Sequence, residues 1–485
     1  MHRRICFIPL DSRPVCYDLP RRLAQVARLE LCVPSPKLLG SPGVNLKAPA
    51  DFKALDRWAK NHLFENDPVI AALDTIAYGG LIPSRLGDET VDEVQDRLDR
   101  FFDRVKATAL FGFSSILRIP NYNFAEEEPD YWNQFGKLLY QYSAEVHELG
   151  AAAPATLQQL PEAVRSDFLN RRHRNFTINQ GLIKRLVSGP LDYLVFCQDD
   201  TGPYGLNVQE ARQLQALLKE KKLTDQGHLQ TGADEVACVL LARWLSQSHQ
   251  RTLKIFPIYS AEAGKKVMAR FDGLPIETVV TQQIKACGAE VAKKAADADL
   301  WLVVHTPQTL QGDHCERLRA TVSAEQRDQV VKTFKKAFDQ GKPVILADVA
   351  YANGCDPDLT PKLLQTFPDL SGLYGYAGWN TPGNTMGTAL AMGIVRVLAE
   401  SKQQFDAAAF KELLLIRMGD DWLYQADVRY QMRRMSNGHP PDEAVLNVAM
   451  ADGLEMLQSR LGVTSRTIRC RFPCHRTFEI EIALS

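Results

Sequence analysis

The chain of 485 residues reads as an α/β protein built on parallel strands, and three observations predict it. Short, near-continuous apolar runs recur along most of its length. Longer amphipathic segments separate them, which is the alternation of a parallel sheet covered on both faces. Nearly every apolar run also ends in charged, amide or aromatic residues, as carboxyl-terminal strand ends do where α/β proteins build their sites.

In the first half the expected strands are ICFIPL (5–10), LELCVP (29–34), PVIAAL (68–73), SILRI (115–119) and YLVFC (193–197). The second half supplies LKIFPIY (253–259), LWLVVH (300–305), PVILADV (343–349) and GLYGYAG (372–378). Helices are expected over 90–108, 208–221, 235–247, 323–340 and 385–400. Two architectures accommodate them. The leading one is a (β/α)8-like barrel over 1–400 with an insert at about 122–190. The alternative is two open parallel α/β domains meeting near residue 250, where SQSHQRT is the most linker-like stretch. From 401 the pattern turns helical: DEAVLNVAMADGLEMLQSRL is amphipathic, and RTIRCRFPCHRTFEIEIAL reads as a closing β-hairpin. Residues 401–485 are therefore expected as a helical appendage with a terminal hairpin.

Charged residues are 24% and the formal net charge is −1, so no whole-chain field favours nucleic acid or an anionic membrane, and neither is expected as a partner. No stretch approaches the roughly 18 apolar residues of a membrane span. The apolar run before Asp11 is too short for a secretory core and reads as a first strand, so a cytoplasmic location is expected. Ten cysteines are scattered, several inside apolar runs, which predicts buried reduced thiols. CRFPCH (470–475) lacks the second half of a zinc site.

Candidate site residues follow the strands. DSRP gives Asp11 and Arg13, and DTIAYGGLIPSR gives Asp74, Tyr78 and Arg85. RIPNYNFAEEEPDYW gives Arg118 and Asn121, and QDDTGPYG gives Asp199, Asp200 and Tyr204. Later strand ends give His305, then Asp348 and Asn353, then Tyr376, Trp379 and Asn380. Each has a plainer reading as a turn former, cap or local ion pair, Asp11 with Arg13 and Asp74 with Arg85 for instance. Asp234 and Glu235, in TGADEVACVLLARW, read as acids complementing a helix dipole. No dinucleotide fingerprint, Walker loop or Gly-x-Ser-x-Gly elbow is present.

The succession PLDSRP, LDTIAYGGLIPSR, QDDTGPYG, GADE and YGYAGWNTPGNTMG resembles an uncharacterised bacterial family, domain of unknown function 4127, over most of the chain. That resemblance implies a family and no established activity. The adjacent acids and the Trp379-Asn380 loop are also similar to pieces of the substrate-assisted N-acetylhexosaminidases, whose fold is a TIM barrel.

The leading expectation is thus a hydrolytic, glycoside hydrolase-like enzyme that needs no cofactor and acts on a carbohydrate or other small molecule. Asp199 and Asp200 would be its catalytic pair, one a general acid and its neighbour an orienting group; like charges a few Å apart raise one pKa. A second expectation is a metal-dependent hydrolase whose divalent ion is held by Asp11, Asp74, Asp199, His305 and Asp348. A third is a non-catalytic carbohydrate- or small-molecule-binding protein on the same fold.

Overall fold

The computed structural model describes residues 4–40, 47–64, 67–105, 109–150, 155–435, 439–463 and 466–485. The first half runs through β1 (Arg4–Ile8), α1 (Pro14–Val26), β2 (Glu30–Cys32), α2 (Phe52–His62), β3 (Val69–Ala72), α3 (Leu73–Tyr78), α4 (Leu81–Leu86), α5 (Val91–Arg104) and β4 (Leu110–Ile116). It continues with α6 (Trp132–Leu149), α7 (Glu162–Ser188), β5 (Leu191–Gln198), α8 (Leu206–Glu220), β6 (Gly227–Thr231) and α9 (Val236–Ser248).

The second half comprises β7 (Lys254–Tyr259), α10 (Ile276–Ala286), β8 (Glu290–Val291), β9 (Leu300–His305), β10 (Gly312–Asp313) and α11 (Ala324–Asp339). β11 (Val344–Asp348), β12 (Tyr351–Ala352), α12 (Leu359–Thr366), β13 (Leu373–Ala377) and α13 (Pro382–Ser401) follow. The C-terminal segment holds α14 (Ala407–Met418), a π-helical stretch over Gly419–Val428, α15 (Arg429–Met435), α16 (Glu443–Leu461) and the antiparallel pair β14 (Ile468–Arg471) and β15 (Glu481–Leu484).

The large sheets are two, both parallel and both open. The first has the order β2-β1-β3-β4-β5-β6 and the second β8-β7-β9-β11-β13. Counting only the strands of each large sheet in chain order, the first five positions of the two orders are the same: second, first, third, fourth, fifth. Among the described residues no ladder joins the edge strands, so the expected barrel gives way to the two-unit alternative. The reason is topological. A barrel needs each strand beside its predecessor, whereas here the chain returns past β1 after β2 and past β7 after β8. The passage from α9 to β7 falls between Ser248 and Lys254, at the linker-like stretch.

Strand periodicity builds the layers. Ile5, Phe7, Ile70, Ala72, Phe111, Phe113, Val195 and Cys197 face one way, into a core that continues through α1, α9 and α13 to the second sheet. Cys6, Ile8, Val69, Ala71, Leu194 and Phe196 face the other way, against α2, α5, α7 and α8. Side chains alternate across a strand, so apolar residues at every position require both faces to be covered. Helix starts are fixed locally: Thr90 and Glu93 form a capping box on α5, Ser323 and Gln326 form one on α11, and Thr381 caps α13 ahead of Pro382. The 122–190 insert contributes α6 and a small core around Trp132, Leu139 and Phe168. No helix among the described residues is long and apolar enough to cross a membrane, and all ten cysteines are unpaired.

Candidate active site

In an open parallel sheet the loops diverge between the first and third strands, leaving a crevice at the carboxyl ends. In the first sheet that crevice lies over β1 and β3. Arg13 stands there, 5% exposed, with Nη2 2.8 Å from Asp11 Oδ2 and 2.6 Å from Asp234 Oδ1. Beyond β4 and β5, Arg85 Nη2 pairs with Asp199 at 2.5 Å and Arg118 Nη1 with Asp200 at 2.7 Å. Glu127 and Glu128 tie these arginines together. Arg85 Nη1 lies 3.0 Å from Glu127, and Arg118 reaches both glutamates at 2.8 Å. The C-terminal hairpin closes the set: Arg476 Nη1 pairs with Glu127 at 2.5 Å, and its Nε donates to Glu479 at 2.7 Å.

This network sets Arg13, Arg85, Arg118 and Arg476 against Asp11, Asp199, Asp200, Glu127, Glu128, Asp234 and Glu479. Carboxyl groups are in surplus, and burial works against their ionisation. Burial, then the charge of Asp199, pushes the Asp200 carboxyl above its ordinary range despite Arg118 and Arg85. Burial also raises Asp234 and Glu128. Glu127 goes the other way: burial opposes its ionisation, but Arg118, Arg476, Arg85 and Arg13 together hold it well below the usual value. Asp200 keeps 26% of its side chain exposed and adopts φ +30°, a sparsely populated backbone region for a non-glycine residue.

The structure sorts the expected residues into groups. Asp11, Arg13, Arg85, Arg118, Asp199 and Asp200 share the first crevice, and Asn380 reaches it from the second half, its Nδ2 3.5 Å from Asp234. Asp74 lies beneath, fully buried. Its Oδ2 accepts the N–H and the hydroxyl of Ser115 at 2.8 and 2.9 Å, so it does not pair with Arg85. Burial raises Asp74 to about 6.

Three expected contacts with substrate, Tyr376, Trp379 and Tyr78, are corrected. Tyr376 is buried, its hydroxyl bonded to Thr360 and Cys355, and Trp379 packs on Phe478; neither offers a face for a sugar. Tyr78 is sealed under Arg174. Tyr204 is exposed and stands edge-on to His147. Asn121 is exposed at the surface.

His305 and Asp348 belong to the second sheet. His305 Nε2 lies 2.9 Å from Asp356 Oδ2, and its Nδ1 lies 3.1 Å from Ser260 Oγ. Arg327 holds Asp356 with both Nε (2.7 Å) and Nη2 (3.0 Å), and Asp348 accepts the Asp356 N–H at 2.8 Å. Asn353 donates to Asp313 nearby. The five residues expected around one divalent ion are thus divided between two sheets. Among the described residues no group of three or more His, Cys, Asp or Glu is placed to hold a metal.

Sequence reasoning missed Glu127 and Glu128, which stood in the noted stretch RIPNYNFAEEEPDYW, and Arg476 and Glu479, which lie some 280 residues beyond Asp199 in a segment read as a closing hairpin. Asp234 is not merely a helix-terminal acid, since it holds Arg13. Ser260, directly after an expected strand, carried a signal only in combination with His305.

Fold and site together define an α/β protein of two open parallel sheets with a buried arginine–carboxylate site at the carboxyl end of the first. The chain belongs to the family described as Protein of unknown function (DUF4127), whose model matches residues 5–483. No curated protein and no solved structure matches it.

Proposed function

We propose that the protein is a hydrolytic enzyme acting on a carbohydrate-class substrate at the crevice of the first sheet, with Asp200 as general acid and Asp199 as its orienting neighbour. The observation that carries this is the state of Asp200: its side chain remains 26% exposed while burial and Asp199 raise its pKa. A general acid must be reachable and must keep its proton near the working pH. The neighbour of Asp200 supports the choice of substrate. Glycoside cleavage develops positive charge on the sugar, which a second carboxyl group beside the acid, here Asp199, serves to orient and stabilise.

The test is a panel of aryl glycosides, N-acetylhexosaminides included, and aryl phosphates, each with and without chelator. Turnover of a glycoside that chelator leaves unchanged is expected. Asp200→Asn should lower that turnover on the order of 10²-fold or more while substrate still binds. Turnover confined to phosphates and abolished by chelator would favour the metal-dependent reading. Saturable sugar binding with no turnover would favour a binding protein, a role that the arginine pairing of both aspartates also suits.

A second hydrolytic reading has its own observation, the hydrogen-bonded series Ser260–His305–Asp356 at the crevice of the second sheet. A serine, an imidazole and a carboxylate in that order are the parts of a nucleophilic site. Ser260 is partly exposed, whereas His305 is buried. Incubation with a fluorophosphonate separates the two readings: covalent labelling of Ser260, lost in Ser260→Ala, supports this one, and an unlabelled Ser260 removes it.

A further inference from the structure

Where the two halves meet, five buried oxygen atoms have no hydrogen-bond partner: Gln230 Oε1, Thr231 Oγ1, Glu235 Oε2, Asp272 Oδ1 and Gln283 Oε1. Asp272 is 1% exposed and the other four residues are 0% exposed. Acceptors so deeply buried are nearly always paired, and each orphan calls for a partner.

These atoms are not scattered. Gln230 and Gln283 both donate through Nε2 to Glu235 Oε1, at 2.8 and 2.9 Å. Gln283 Nε2 also donates to the Thr231 carbonyl at 2.9 Å. Gly383 N–H donates to Asp272 Oδ2 at 2.8 Å, and a Cβ on Gly383 would stand 3.0 Å from Thr231 Oγ1. With their N–H groups committed to Glu235, both amides leave a carbonyl oxygen over.

Glycines let the backbone pack directly against these oxygens. A Cβ at Gly232 would stand 2.7 Å from Glu235 Oε2, and one at Gly387 would stand 2.8 Å from Gln283 Oε1. Those glycines belong to GADE and PGNTMG, stretches from which the crevice of the first sheet takes only Asp234. The neighbours of Glu235 and Asp272 are amides, the Thr231 and Thr381 hydroxyls and a backbone N–H rather than a lysine or arginine, in contrast to Asp234, which Arg13 neutralises.

We propose that this cluster binds a hard divalent cation of the calcium class, through the carboxylates of Glu235 and Asp272, the amide oxygens of Gln230 and Gln283, and the Thr231 hydroxyl. The donor set is all oxygen, which selects hard cations over zinc or copper. Two carboxylates match a double positive charge. Uncharged amide and hydroxyl oxygens in an irregular cradle suit the flexible coordination of Ca²⁺ better than the near-octahedral, water-retaining shell of Mg²⁺. Gln230, Thr231 and Glu235 come from β6 and the start of α9, whereas Asp272 and Gln283 come from the second half. A bound ion would therefore tie the two halves together.

The test uses the full chain, stripped with chelator and then supplied with Ca²⁺ alone. Expected are one Ca²⁺ per chain by elemental analysis after gel filtration, and a saturable rise in melting temperature that choline chloride at equal ionic strength does not give. Glu235→Gln, close to isosteric, should weaken Ca²⁺ binding at least tenfold. Thr231→Val, which removes one ligand and keeps the shape, should weaken it by a smaller factor. Three results would overturn the proposal: wild-type protein that takes up no stoichiometric Ca²⁺ and shows no shift at millimolar Ca²⁺, saturable binding of K⁺ in preference to Ca²⁺, or a crystal structure grown with Ca²⁺ in which only waters contact the five oxygens.

Discussion

Asp200 and Asp74 are both strand-end aspartates raised by burial, and their surroundings give them different work. Asp200 is reachable, so its proton is available for transfer. If it is the general acid, activity needs the protonated form, and kcat/KM should fall as pH rises through the raised pKa of Asp200. Asp200→Asn should remove that limb of the pH profile; a limb that persists in the variant would assign it to another group. Asp74 is sealed, and its raised pKa is a statement about stability. A carboxyl whose folded pKa of about 6 exceeds its unfolded value burdens the fold above pH 6 and is relieved as pH falls toward the unfolded pKa. That burden is roughly 3 kcal/mol at most. Asp74→Asn keeps an oxygen for the N–H and hydroxyl of Ser115. It should therefore be neutral to stabilising at pH 7.5 and should flatten the difference between urea unfolding at pH 7.5 and pH 4.5. Asp74→Ala strands the Ser115 N–H and should destabilise by about 1–3 kcal/mol.

At the scale of elements, two contacts decide how pieces far apart in the chain are joined. The loop between β14 and β15 delivers Arg476 to Glu127 and Glu479, with Arg476 only 12% exposed at its side chain. Removing one member of a buried ion pair leaves the others uncompensated, so Arg476→Ala should cost about 3 kcal/mol in urea unfolding and should open the hairpin to limited proteolysis. Close backbone approach governs the second contact. A Cβ on Gly375 of β13 would lie 2.3 Å from the Ala389 carbonyl oxygen of α13, a contact that no side-chain rotation relieves. Gly375→Ala should lower stability by about 3 kcal/mol, whereas an alanine at Gly341, which meets nothing within 4 Å but has φ +61°, should cost only its backbone strain of about 1 kcal/mol.

At the scale of the molecule, one apolar core passes from the first sheet through α1, α9 and α13 into the second. Neither half covers its own inner face. Calorimetry of the whole chain should give a single transition, and a fragment ending near residue 250 should fail to show a cooperative melt, because α1 and α9 would expose the surface that α13 now buries. Two well-separated transitions would mean that the halves are thermodynamically independent.

What the sequence by itself determined was local. Continuous apolar runs predict parallel strands covered on both faces, and β9 falls where LWLVVH placed it. Amphipathic helices and the linker-like stretch near 250 were legible for the same reason, since each depends on residues a few positions apart. The strand β6 was not, because GHLQT buries His228 and Gln230 to bond α10 and Glu235 instead of presenting an apolar run. The β4 expectation fell late because LFGF opens the strand before SILRI.

Tertiary structure alone decided the rest: two open sheets in place of a barrel, and which strand-end groups meet. Strand order depends on crossovers that composition does not record. The charged crevice depends on bringing Asp11, Glu127, Asp199, Asp234 and Arg476 together from segments hundreds of residues apart. Such contacts are set by which faces the core can bury at once, and no short window of sequence carries that information.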